Sequence, residues 1–189
     1  MYPSNILCWN VRGLNSRARQ DEVHTLVNSS RVDVVCLQET KMAAVSRGTL
    51  LSMLGSDFSY FIELPSIGAS GGILIAWRHG LGQASASRID QYSVSVEFSP
   101  RGLQPWWLTC VYGPQGDDNK LLFLQELRSI RANCQGPWLL LGDFNLITSV
   151  EDKNNRNINR AMMGRFRRLI NDLELRDLPL HGRKFTWSN

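Results

Sequence analysis

Pro137 to Leu141 is an unbroken apolar run, too short for a buried helix, and Gly142-Asp143-Phe144-Asn145 follows it at once. Such a run reads as a strand buried on both faces that ends in a polar loop. Three other segments follow the same plan. Ile6 to Val11 closes on Arg12-Gly13-Leu14-Asn15, Val32 to Leu37 runs into Gln38-Glu39-Thr40, and Trp106 to Tyr112 runs into Gly113-Pro114. Between the first two, Ser16 is a candidate N-cap for a helix over Arg17 to Ser30, with Val23, Leu26 and Val27 on one face. A strand–helix–strand beginning of this kind predicts an α/β fold.

The middle of the chain changes character. Phe58 to Glu63, Gly72 to Trp77, Gln83 to Ile89 and Tyr92 to Phe98 are short runs separated by turn residues, which fits a meander or two antiparallel sheets. Tyr92 to Phe98 alternates strictly between apolar and polar residues, which predicts a strand with one face in water. A helix follows Asp117-Asp118, with Phe123, Leu127 and Ile130 on one face. Another covers Ala161 to Leu175, with Met162, Phe166, Leu169 and Leu173 at helical spacing and Arg165, Arg167 and Arg168 on or near the other side. Arg183 to Trp187 begins a last strand. At 189 residues the chain suits one domain, here 5–189.

The net charge is +4, and the whole excess lies in residues 151–189, with nine basic against five acidic side chains. A basic segment suits a polyanionic partner through phosphate contacts, and a solvated helix face is the plainer reading of the same charge. Cys8, Cys36, Cys110 and Cys134 form no C-x-x-C pair and read as small buried residues in a reducing compartment. With no signal-like start and no long apolar stretch, the sequence reads as intracellular, nuclear or cytoplasmic, with no membrane span.

The strand ends supply Asn10, Glu39, Tyr112, Asp143 and Asn145. Singly, each has an ordinary explanation as a turn former or helix cap. Together, two carboxylates and two carboxamides at one rim suit a hard divalent cation, which prefers oxygen ligands and can neutralise a phosphoryl oxygen.

At these residues the chain resembles the endonuclease/exonuclease/phosphatase family, and within it the endonuclease domains of non-LTR retrotransposons, particularly plant-type ones. Trp9-Asn10-Val11-Arg12-Gly13-Leu14 resembles the first motif and Leu37-Gln38-Glu39-Thr40-Lys41 the metal-ligand motif. Val111-Tyr112-Gly113-Pro114 is similar to the tyrosine motif, Gly142-Asp143-Phe144-Asn145 to the Asp/Asn motif, and Phe185-Thr186-Trp187-Ser188-Asn189 to a late strand. The resemblance implies a four-layer αββα sandwich of two packed, mostly antiparallel or mixed sheets, incomplete at the C-terminus. It implies that Glu39 binds Mg²⁺ or Mn²⁺ with Asn10 close by, and that Asp143 orients the attacking water. Asn145 would hold the scissile phosphate, Tyr112 contact a phosphate oxygen and Thr186 support the site.

The reaction implied is nicking of one DNA strand. Arg165, Arg167, Arg168, Arg183 and Lys184 are candidate phosphate-backbone contacts. The family pattern goes on to a Ser-Asp-His motif, and His24, His79 and His181 do not follow Ser-Asp. Weak or absent activity is therefore expected of the chain as it stands, as is self-association or a protein partner at an uncovered sheet edge. The alternative is a catalytically dead, domesticated remnant serving as an interaction module. A family phosphatase acting on small phosphoesters is a third, weaker reading.

Overall fold

The structure, a computed structural model, describes residues 5–68, 70–152, 158–179, 181 and 182. Two four-stranded sheets form its centre. The first contains β1 (Ile6–Asn10), β2 (Val34–Gln38), β3 (Phe58–Leu64) and β4 (Ile73–Arg78), in the order β1-β2-β4-β3. The second contains β5 (Ala86–Ile89), β6 (Ser93–Phe98), β7 (Trp106–Tyr112) and β8 (Trp138–Asp143), in sequence order. Each sheet is mixed: β1 pairs parallel with β2 and β7 parallel with β8, and the remaining pairs are antiparallel.

Strand alternation sorts the apolar residues into three cores. Leu7, Trp9, Val35, Leu37 and Leu74 face α1 (Arg17–Ser29) and α2 (Arg47–Leu54). Val34, Cys36, Ile75, Val96, Leu108 and Leu139 fill the space between the sheets. Trp107, Val111, Trp138 and Leu140 face α3 (Asp117–Asn133) and α4 (Arg160–Asp172). The result is the expected αββα sandwich.

Helices α1, α2 and α4 start where side chains cap them, whereas α3 follows Gly116 with no side-chain cap. Ser16 accepts from the Arg19 N–H at 3.3 Å, Ser46 from Thr49 at 3.0 Å and Asn159 from Met162 at 3.0 Å, each satisfying an N–H that the first turn leaves without a partner. Asn159 also donates to Asp117 at 2.8 Å, which ties the start of α4 to the start of α3.

Three differences from the sequence reading have physical causes. β6 has no wet face: Ser93 and Ser95 are fully buried. Ser93 donates to Glu126 of α3 at 2.6 Å, and Ser95 shares a 2.8 Å hydrogen bond with Thr109 of β7, so a covering helix and the neighbouring strand satisfy the polar face instead of water. Helix α2, absent from the sequence reading, is only eight residues long and draws its stability from Leu50, Met53 and Leu54 packing on the first sheet. Cys8 is exposed, whereas Cys36, Cys110 and Cys134 are buried, because β1 is an edge strand among the described residues. The expected strand over Arg183 to Trp187, and with it Thr186 and Lys184, lies outside the described residues.

Candidate active site

The parallel pairs at the two edges run in register, so side chains facing the other sheet form successive layers. Ile6 and Val34 lie opposite Leu108 and Leu139, then Cys8 and Cys36 opposite Cys110 and Leu141, then Asn10 and Gln38 opposite Tyr112 and Asp143. The layers thus pass from aliphatic to thiol to polar as the strands reach their C-terminal ends. At the last layer the sheets are joined: Asn10 Nδ2 donates to Asp143 Oδ2 at 2.9 Å, across 133 residues of sequence.

Glu39 and Asn145 reach this rim by leaving the strand pattern. Both adopt left-handed backbone, with φ of 55° and 49°. Non-glycine residues seldom take this conformation unless their surroundings hold them there. At Asn145 the holding groups are visible. Its N–H donates to Asp143 Oδ1 at 3.0 Å, its Nδ2 to the Gly113 carbonyl at 2.6 Å, and its Oδ1 accepts from Gln115 at 2.8 Å. Gly113 is required at this junction, since a Cβ there would lie 2.0 Å from the Phe144 carbonyl oxygen. Its N–H donates to the Asp143 carbonyl at 2.7 Å, which fixes the ends of β7 and β8 together.

Tyr112 has its phenol pKa pushed up to about 12, first by burial and then by the negative charges of Glu39 and Asp143. It is therefore a neutral hydrogen-bond donor near neutral pH. Glu39 Oε1 meets the Lys41 ammonium at 3.1 Å. Asn10, Glu39, Tyr112 and Asp143 are thus brought together, with Asn145 bonded to Asp143 beside them.

Gln38 was not singled out from the sequence. It is 1% exposed, and its Nε2 donates to the Cys36 carbonyl at 3.0 Å, to Cys110 Sγ at 3.0 Å and to Cys8 Sγ at 3.4 Å, so it floors the site. Its signal was positional: a carboxamide at the last inward-facing place of a strand buried along its whole length.

The basic candidates lie elsewhere. Arg165, Arg167 and Arg168 are on the exposed side of α4, in the outer helical layer. Arg167 Nε donates to the Thr148 carbonyl, so this residue also anchors the segment after β8. Arg183 lies outside the described residues. His24 hydrogen-bonds to the Met53 carbonyl at 3.2 Å and belongs to the α1/α2 layer.

Glu39 and Asp143 provide two carboxylates and Asn10 a carboxamide. Among the described residues there is no group of three or more His, Cys, Asp or Glu side chains that could enclose an ion. This donor set fits Mg²⁺ or Mn²⁺ rather than a softer metal. Such ions keep several waters and take one or two carboxylates, leaving places for phosphate oxygens. A lysine ammonium already lies against Glu39, so the site attracts positive charge.

Two carboxylates and two carboxamides at one rim of a two-sheet α/β sandwich are donors of the kind a hard divalent cation takes. The chain belongs to the Endonuclease/Exonuclease/phosphatase family, whose profile matches residues 7–189. Among solved structures it is similar to the AP endonuclease LMAP from Leishmania major, with a TM-score of 0.66 and 15% identity over 90% of this chain and 66% of that one. An AP endonuclease from Archaeoglobus fulgidus gives a TM-score of 0.69 at 15% identity over 89% of this chain and 70% of that one. TDP2 from D. rerio complexed with a single-strand DNA product gives 0.56 at 20% identity over 76% and 61%. The comparison with curated proteins returned no match. No helix among the described residues is long and apolar enough to cross a membrane.

Proposed function

We propose that the chain is a divalent-metal-dependent DNA phosphodiesterase domain of the non-LTR retrotransposon type, which nicks one strand. The observation that carries this reading is the Asn10–Asp143 bond at 2.9 Å, because it gathers motifs from both sheets at one rim. The neighbours named for AP endonucleases and for a DNA product support a nucleic-acid substrate.

Glu39 is the direct ligand in this reading, with Asn10 beside it. A bound Mg²⁺ or Mn²⁺ supplies charge neutralisation at the phosphoryl group and the leaving oxygen. Asp143 Oδ2, held by Asn10, and Oδ1, held by the Asn145 N–H, leave the carboxylate fixed to accept a hydrogen bond from the attacking water. Tyr112, protonated, donates to a phosphate oxygen. For Asn145 to hold the scissile phosphate, its Nδ2 must leave the Gly113 carbonyl. Arg165, Arg167 and Arg168, exposed on α4, contact the DNA backbone in this reading; the other candidates, Arg183 and Lys184, lie outside the described residues.

The sequence contains no Ser-Asp-His, so the proton-transfer group the family places there must come from elsewhere for full activity. A positioned proton-transfer group typically contributes about 10²–10⁴-fold to such a reaction. Plasmid nicking in Mg²⁺ and Mn²⁺ tests this reading. Weak nicking that Glu39→Gln and Asp143→Ala abolish supports it, and nicking that survives both substitutions rejects it.

A second reading, an interaction module, has its own observation. Among the described residues β1 and β8 each have a strand neighbour on one side only, and they lie on the same side of the sandwich. Every residue of β8 is only half-buried. Such edges suit strand addition by a second copy or a partner. A strictly monomeric chain in light scattering removes the self-association version.

A further inference from the structure

Lys41 lies two residues beyond Glu39, and the turn that holds it is tied on both sides. Its N–H donates to the Gly71 carbonyl at 3.0 Å, and its carbonyl accepts from Asn15 Nδ2 at 2.8 Å. Thr40, 2% exposed, donates its N–H to the Gly72 carbonyl at 3.2 Å and accepts at its carbonyl from the Leu14 N–H at 2.8 Å. Loops from β1–α1 and β3–β4 therefore grip this turn, in which both Glu39 and Lys41 hold a φ of 55°. The Lys41 stem runs past Gly13, where a Cβ would lie 3.4 Å from its Cδ. Its ammonium ends 3.1 Å from Glu39 Oε1, in the only ion pair that either rim carboxylate makes among the described residues.

The two partners differ in access to water: the Glu39 side chain is 19% exposed and Lys41 35%. Glu39 is a fixed, sheltered carboxylate, while Lys41 is a compact charge on a flexible stem that can swing into solvent. Two carboxylates at one rim repel each other, and a cation relieves that repulsion. We infer that Lys41 is a built-in counter-cation for Glu39, which holds the carboxylate until a divalent ion displaces it and thereby sets the affinity of the site for that ion. This rests on the proposed role of Glu39 as metal ligand. Lys41 is a positioning residue here, since it acts through Glu39.

Displacement makes a counter-intuitive prediction: removing a residue of the site strengthens ion binding. The probe is Mn²⁺ alone, without DNA, followed by loss of the free-ion signal in electron paramagnetic resonance, with circular dichroism confirming that each variant is folded. Lys41→Met should bind Mn²⁺ about two- to five-fold more tightly than the parent, the scale of one partly exposed ion pair. Lys41→Arg, which keeps the charge, should stay near the parent. Arg12→Met removes a charge two residues from Asn10 that makes no ion pair with Glu39, and it should gain less than half as much.

Equal or weaker binding by Lys41→Met, with Glu39→Gln abolishing binding, overturns the role of Lys41 and leaves Glu39 as the ligand. An equal gain from Arg12→Met also overturns it, since general charge then explains the effect. Binding unaffected by Glu39→Gln removes the metal-ligand reading itself. Mn²⁺ binding by neither the parent nor Lys41→Met removes both.

Discussion

The first sheet delivers Asn10 and Glu39 and the second delivers Tyr112 and Asp143, but they do so by different means. In the first, the strand that leads to Glu39 is its most protected, since every residue of β2 is buried between β1 and β4. Glu39 itself sits one residue past the strand and depends on a left-handed turn gripped by two loops. In the second, Tyr112 and Asp143 are still within their strands and are register partners, so alternation alone points both inward. Yet β8 is half-buried and, among the described residues, an edge strand, and its end is secured at the Gly113–Asp143 junction. One sheet combines a rigid approach with an improvised last step, and the other a regular last step with a more open approach. The Asn10–Asp143 bond makes each depend on the other.

The largest effect expected from this contrast is at the junction. In Gly113→Ala the added Cβ would meet the Phe144 carbonyl at 2.0 Å, so backbone must move on both strands. The expected loss is roughly 4 kcal/mol, the upper end of single substitutions. Gly72→Ala tests the first sheet's grip. There the nearest atom, 2.2 Å away, is the Thr40 hydroxyl, a side chain that can rotate, although the φ of +93° still penalises alanine. A loss of roughly 2 kcal/mol is expected. Urea unfolding of both variants decides it, and an equal or reversed order would mean that the second sheet's end is not fixed at Gly113.

A smaller difference separates the approaches. Leu37→Ala empties a fully buried position in β2 and should cost roughly 3 kcal/mol, while Leu140→Ala, half-buried in β8, should cost roughly 1 kcal/mol. Comparable losses in the same unfolding assay would show that β8 is covered in solution.

What was legible in the sequence follows the same division. Short apolar runs ending in polar residues reveal strands and put Asn10, Glu39, Tyr112, Asp143 and Asn145 at their ends, while the four-layer sandwich is what the motif resemblance implies. Neither pattern nor resemblance shows how Glu39 and Asn145 reach the rim, because left-handed turns break the alternation that a sequence pattern exposes. Gln38 was missed although its place in β2 marks it, because a carboxamide beside a carboxylate reads as part of the loop. The buried serines of β6 were misread because alternation reports chemical difference between two faces, not whether a helix covers the polar one. Lys41 lay inside a quoted motif, but only coordinates show its ammonium at Glu39.

The smallest expected effect is spectroscopic, and it probes the gap between the sheets directly. The Tyr112 phenol is pushed up to about 12 by burial first and by Glu39 and Asp143 next. A raised phenol pKa contributes stability that is fully present below the unfolded value, near 10, and is lost as pH rises through about 12. Absorbance of the phenolate, compared between the parent and Tyr112→Phe, isolates this one of four tyrosines. Near-ultraviolet circular dichroism marks the pH at which the fold gives way. Glu39→Gln removes a charge supplied by the opposite sheet, so the Tyr112 midpoint should fall. Because burial is the larger cause, it should not fall all the way to that of an exposed tyrosine. A midpoint that ignores Glu39→Gln would mean that the two sheets do not bring these side chains within electrostatic reach, and the rim would then be two half-sites rather than one.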